Sequence, residues 1–188
     1  MTKLIFITHP SVVVDPLIPI DEWQVSKEGL MQVEDLFSST VLLNINSIYS
    51  STEDKALTVA KIIADKYFIM FNQEHQLKCL KEIKNRLFIP PDKFLQATKK
   101  WFDHPKDNVN DWESRNDAEQ RIVNCVTNIM SKEENNTVVI VGHGGTGTLL
   151  KCHIKKVDPS QSEDQQSQGC YFVADWDKQE LISDWIRF

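Results

Sequence analysis

The sequence predicts an α/β fold: a three-layer α/β/α sandwich around a mostly parallel central sheet. Three observations carry this. Buried-strand patterns alternate with amphipathic helix patterns along most of the chain, the arrangement that βαβ units produce. Two of the strands, Leu4-Ile5-Phe6-Ile7 and Val138-Val139-Ile140-Val141, are unbroken apolar runs, as expected of strands covered on both faces. Each run leads directly into a histidine, His9 or His143. Side chains at the carboxyl ends of strands line the ligand crevice of an open α/β sheet, so both ends of the chain are expected to build one site.

The elements follow in order. Residues 3–8 read as the first strand. A loop with Pro10, Pro16 and Pro19 leads to a helix over 26–38, capped by Ser26 and burying Leu30, Val33 and Leu36. Ile45–Tyr49 is a second strand, and Ser50-Ser51-Thr52 offers an N-cap for a helix through Asp65 with Ala56, Val59, Ala60 and Ile63 at helical spacing. Tyr67–Phe71 reads as a third strand. Residues 83–113 break the alternation with Pro90-Pro91 and Pro105 and hold one short helix over 92–102. This stretch is expected to be an insertion, a lid over the active edge of the sheet. Ser114 and Asp117 form a capping box for a helix through Lys132 carrying Ile122, Val126 and Ile129. Strand 137–142, a glycine turn and helix 146–155 follow. The polar run 158–168 is a loop, and strands 171–176 and 181–186 close the chain as a hairpin.

At 188 residues this is expected to be a single domain, 1–188, with a substantial core. The net charge of −6 gives no overall positive field for nucleic acid or anionic lipid, so neither partner is expected. No apolar run approaches a membrane span or a signal-peptide core. Cys79, Cys125, Cys152 and Cys170 stand alone, without the spacing of a zinc site or a disulfide framework, which suggests a reduced, cytoplasmic protein. The five histidines show no metal-ligand spacing either, and neither metal nor cofactor is expected.

The turn Gly142-His143-Gly144-Gly145 presents bare backbone amides at a helix start, where partial positive charge favours an anion, and a phosphoryl group fits that setting. The same residues spell GxGxxG. A dinucleotide site would need a second strand ending in an acid about 20 residues on, where this chain has a polar loop.

Read together, the motifs resemble the histidine phosphatase superfamily, the phosphoglycerate-mutase-like proteins. Ile5-Phe6-Ile7-Thr8-His9-Pro10 stands where that family has a strand and Arg-His-Gly. Ser26 through Gln32 is similar to its Leu-Ser-x-x-Gly-x-x-Gln, and Ser50 through Ala60 to its Ser-Ser-x-x-x-Arg-Ala-x-x-Thr-Ala. Leu80-Lys81-Glu82 falls near its acidic segment, Trp112-Glu113-Ser114 near its Gly-Glu-Ser, and Val141 through Gly145 matches its second histidine motif.

The resemblance implies a phosphatase that hydrolyses a phosphomonoester through a phosphohistidine on His9. His143 would donate to phosphoryl oxygens and Glu82 would protonate the leaving oxygen, with Glu74 as its rival. Lys55 stands in the place of a phosphate-binding arginine, while Thr8, Ser11 and Gly144 would add donors. Two arginines of the family pattern are absent, at Thr8 and Lys55, and lysine does not reproduce the bidentate guanidinium fork. Arg86, or else Arg115, is the expected replacement. The substrate would be a phosphorylated small molecule or a phosphoprotein. The alternatives are a catalytically degenerate phosphate- or phosphoprotein-binding relative and a phosphomutase.

Overall fold

The computed structural model describes residues 1–79 and 88–188. Its strands are β1 (Lys3–Thr8), β2 (Ser47–Ser50), β3 (Phe71–Gln73), β4 (Thr137–Gly142), β5 (Cys170–Asp175) and β6 (Glu180–Arg187). The helices are α1 (Lys27–Ser38), α2 (Asp54–Tyr67), α3 (Pro91–Asp103), α4 (Arg115–Met130) and α5 (Gly144–Lys155). They form a six-stranded sheet in the order β3-β2-β4-β1-β5-β6. The pairings β3/β2, β2/β4 and β4/β1 are parallel, and β1/β5 and β5/β6 are antiparallel. The sheet is therefore mixed, with a parallel majority. The strand after α5 runs antiparallel to β1, so no second parallel strand follows the glycine turn to complete a dinucleotide-binding unit.

The apolar runs of β1 and β4 divide between two cores. Leu4, Phe6, Val138 and Ile140 face one side, with Ile122, Val126 and Ile129 of α4, Leu149 and Leu150 of α5, and Trp101 of α3. Ile5, Ile7, Val139 and Val141 face the other, with Val33 and Leu36 of α1 and Val59, Ala60 and Ile63 of α2. Three layers result, and the unbroken hydrophobicity of both central strands follows from their burial on both faces. Each fully buried aliphatic side chain contributes roughly 1.5–3 kcal/mol.

Four local expectations need correction. In α1, Leu30 is 43% exposed and Gln32 takes the buried position. An amide lies there because Gln32 Oε1 accepts from the Ser11 backbone N–H at 2.8 Å, which ties α1 to the loop after His9. The third strand begins at Phe71, not Tyr67. Tyr67 ends α2, Phe68 takes a left-handed conformation at φ 57°, and Phe68 and Met70 project into solvent at 96% and 91% exposure. Ser50-Ser51-Thr52 does not cap α2 directly: Glu53 is its N-cap residue, with no side-chain capping bond. Helix α5 starts two residues earlier than expected, with His143 itself as N-cap.

Candidate active site

His9 and His143 leave the ends of β1 and β4, which are adjacent and parallel in the register Thr8↔Gly142. Their ring centroids lie 5.4 Å apart in an edge-on arrangement. The His9 backbone is fixed on both sides, its N–H donating to Gly142 O at 3.1 Å and its carbonyl accepting from Gly169 N at 3.1 Å. His9 Nδ1 lies 2.9 Å from Pro10 O. A carbonyl can only accept, so Nδ1 carries the proton and Nε2 holds the lone pair of the neutral ring.

The loop after His9 is set by close packing against α1. A Cβ on Gly29 would come within 2.2 Å of Ser11 O, so only glycine admits this approach. Ser26 holds the same loop, donating its N–H to Ser11 O at 2.9 Å, while its hydroxyl caps α1 by accepting from Gly29 N at 3.0 Å.

His143 is almost fully buried. Its Nε2 lies 2.9 Å from Ser51 Oγ and 3.4 Å from a carboxylate oxygen of Glu53. Glu53, 2% exposed, is the residue that sequence reasoning missed. Its carboxylate accepts from the Cys79 backbone N–H at 2.7 Å and from Lys55 Nζ at 2.6 Å, and lies beside His143 Nε2. Lys55 is equally buried and also donates to Ile20 O at 2.7 Å. Directly before a helix, a glutamate reads as a solvated N-terminal acid. Only the placement of β4 beside β2 brings it against the second histidine. The segment bearing Cys79 is held by the Arg121 guanidinium, which donates to the carbonyls of Gln76, Lys78 and Cys79 and pairs with Glu113.

The other expected residues fall into three groups. His9, His143, Lys55 and Gly144 line one cavity of about 910 Å³. Gly144 and Gly145 open α5 toward it, and the first N–H groups of a helix have no intrahelical acceptor. Thr8 and Ser11 do not line this cavity. The Thr8 hydroxyl is fully buried, donating to Gln165 Oε1 at 2.7 Å and accepting from Cys170 N at 3.0 Å, so it braces β1 against the loop before β5 and does not face a ligand. Glu82 and Arg86 lie outside the described residues. Arg115 does not turn toward the histidines. It donates to Phe102 O and Pro159 O and pairs with Asp158 at 3.1 Å.

Residues 158–168 form the far wall of the cavity. Asp164 accepts from the Thr148 hydroxyl at 2.6 Å and the Gln165 N–H at 2.8 Å, and burial pushes its carboxyl above the usual range. Lys151, 2% exposed, pairs with Glu163 and Asp184 and anchors this wall to α5 and β6. Among the described residues, no group of three or more His, Cys, Asp and Glu side chains could hold a metal ion, and no helix is long and apolar enough to cross a membrane.

Several solved structures share this architecture. Bacillus stearothermophilus YhfR superposes with a TM-score of 0.80 at 20% identity, covering 97% of this chain and 95% of that one. The phosphoserine phosphatase of Entamoeba histolytica, in complex with 3-phosphoglyceric acid, gives 0.78 at 17% identity, covering 100% and 98%. The mycobacterial glucosyl-3-phosphoglycerate phosphatase gives 0.76 at 15% identity, covering 98% and 95%. Among curated proteins none matches significantly. The sequence profile of the histidine phosphatase superfamily (branch 1) matches residues 21–186, beginning downstream of His9 and including His143. With that match over most of its length, the chain belongs to the histidine phosphatase superfamily, branch 1.

Proposed function

We propose that this protein is a phosphatase that hydrolyses a phosphomonoester through a phosphohistidine on His9. The observation that carries the reading is the pair of imidazoles, with centroids 5.4 Å apart, at the ends of adjacent parallel strands. His9 Nε2, the nitrogen that holds the ring's lone pair when Nδ1 donates to Pro10 O, attacks phosphorus in line. The P–Nε2 bond forms as the P–O ester bond breaks, and the leaving oxygen takes a proton from an acid. Water then attacks the phosphohistidine, releasing inorganic phosphate and restoring His9. Most of the catalysis is positioning and charge stabilisation, which suits a site built from fixed donors. The first amides of α5 face the equatorial oxygens, and His143 and Lys55, held against Ser51 and Glu53 before substrate binds, are the side chains that turn to them.

The acid we assign by sequence position is Glu82, outside the described residues. Glu53, against His143, is the described carboxylate that could take its place. The two separate by leaving group. Loss of the true acid slows hydrolysis of an alkyl phosphate much more than that of p-nitrophenyl phosphate, whose leaving group needs little protonation. The substrate is a phosphorylated small molecule, and a cytoplasmic location fits four cysteines with no disulfide among them.

The test is turnover of p-nitrophenyl phosphate by wild type and His9→Ala, with acid-quenched trapping of labelled enzyme. The expected result is an acid-labile phosphoenzyme in the wild type and neither label nor turnover in the variant. Retained hydrolysis by His9→Ala would remove His9 from the mechanism.

A further inference from the structure

Beyond the two histidines the cavity offers space and apolar surface for a body larger than a phosphoryl group. Its volume of about 910 Å³ lies at the upper end of the range for ligand sites, so a phosphoryl group leaves most of it unfilled. One side of the surrounding wall is apolar, with Val14, Ile20, Trp23, Phe94, Leu95 and Trp112, while the side formed by residues 161–168 is polar. Two aromatic pairs stiffen it, Trp23 with Phe88 at 6.2 Å and Phe94 with Trp112 at 5.8 Å between centroids. The rim is apolar and open to water, Val14, Phe94 and Leu95 being 53%, 45% and 62% exposed. Surface of this kind around a deep cleft marks a place where apolar matter binds.

The charges point the same way. Among the described residues lining the cavity, Lys55 is the one lysine or arginine, and its ammonium already meets the Glu53 carboxylate. The other described ionisable acid on the wall is Asp164. A substrate carrying a carboxylate besides its phosphoryl group, as phosphoserine and 3-phosphoglycerate do, would set that charge among the described apolar side chains or near Asp164. A neutral hydrocarbon body meets no such cost.

We infer that the substrate is the phosphomonoester of a bulky apolar alcohol, its phosphoryl group between His9 and His143 and its hydrocarbon body along the wall formed by Trp23, Phe94, Leu95 and Trp112. This rests on the phosphatase reading above and adds the substrate class.

The test is a series of n-alkyl phosphates from ethyl to hexyl, which share a primary-alcohol leaving group and differ only in apolar length. Each methylene buried is worth about fourfold in kcat/KM, so four give roughly 200-fold when all are covered. A rise of at least about twentyfold is expected, with phosphoserine below ethyl phosphate and with Phe94→Asp flattening the slope. Equal rates along the series would overturn the inference, as would preference for phosphoserine or turnover of phosphopeptides alone. Calorimetric titration of methylphosphonate against hexylphosphonate reads the same preference without turnover. If no ester is hydrolysed, the catalytic reading fails, and tighter binding of hexylphosphonate still sustains the apolar site. Equal phosphonate affinities would refute that site whatever the turnover.

Discussion

Replacing Glu53 by glutamine should destabilise the protein in a way that phosphate repairs. The carboxylate sits among groups suited to an anionic ligand: Lys55 Nζ at 2.6 Å, Cys79 N at 2.7 Å and His143 Nε2 at 3.4 Å. Glutamine keeps an acceptor oxygen for the Cys79 amide but leaves Lys55, 3% exposed, without its countercharge. At an effective dielectric of about 20 the 2.6 Å pair is worth about 6 kcal/mol gross, most of it offset by desolvation. Breaking a buried pair by removing one partner costs roughly 3–5 kcal/mol, and the retained acceptor places this variant near 3 kcal/mol. For a domain of this size that lowers Tm by about 6–12 °C. An inorganic phosphate dianion then supplies the missing negative charge. At a hundred times its Kd it returns about 2.7 kcal/mol. The assay is thermal unfolding of wild type and Glu53→Gln with and without phosphate. The expected result is a large deficit that phosphate mostly closes, with a smaller phosphate shift in the wild type, where Glu53 already occupies the donors. An unchanged Tm in the variant, or equal phosphate shifts in both proteins, would refute the reasoning.

Further outcomes follow from the same geometry. Gly29→Ala forces a Cβ against the Ser11 carbonyl, a backbone atom 2.2 Å away, so roughly 1–3 kcal/mol of stability is lost. Because the displaced loop carries His9, kcat/KM on p-nitrophenyl phosphate falls with it, whereas full activity in a folded variant would contradict the loop's positioning role. Burial raises the Asp164 carboxyl above its ordinary range. Its ionised form therefore costs stability above the raised folded-state pKa, and the cost vanishes below the unfolded-state value. Asp164→Asn should melt higher than wild type at pH 8, with the gain shrinking on acidification; a gain independent of pH would point to a cause other than the charge. Burial pushes the thiols of Cys125 and Cys152 up to about 11, while Cys79 is half-buried on the cavity wall. Alkylation at pH 8 should modify Cys79 first, and phosphate should slow it. Mass spectrometry showing Cys125 or Cys152 labelled ahead of Cys79 would overturn this order.

Hydrophobic periodicity locates α1, α2 and α4 among the described residues, and unbroken apolar runs locate both central strands, because those strands are buried on two faces. Periodicity fails where tertiary contacts set the choice. Tyr67–Phe71 is apolar enough for a strand, yet Phe68 turns the chain through a left-handed residue and faces water. Gln32 looks like a surface residue, but its amide satisfies the Ser11 N–H beneath α1. Of the candidate site, His9, His143, Lys55 and Gly144 are legible from the glycine turn, the strand ends and the order of motifs, and they line one cavity. Thr8 carries a hydroxyl at the right place in sequence, and the fold spends it on Gln165 and Cys170. Glu53 has no sequence signal, since its proximity to His143 arises from the pairing of β2 with β4.

The position of β1 has a consequence for biosynthesis. This strand lies inside the sheet, with β4 on one side and β5 on the other, so residues 3–8 find their ladder partners among residues 137–142 and 171–175. Contacts of such long sequence separation close slowly. His9 leaves the ribosome more than a hundred residues before Gly142, yet its backbone is secured only when Gly142 and Gly169 arrive. A half-translated chain thus carries the imidazole without the cradle around it. The first histidine is made early and armed late.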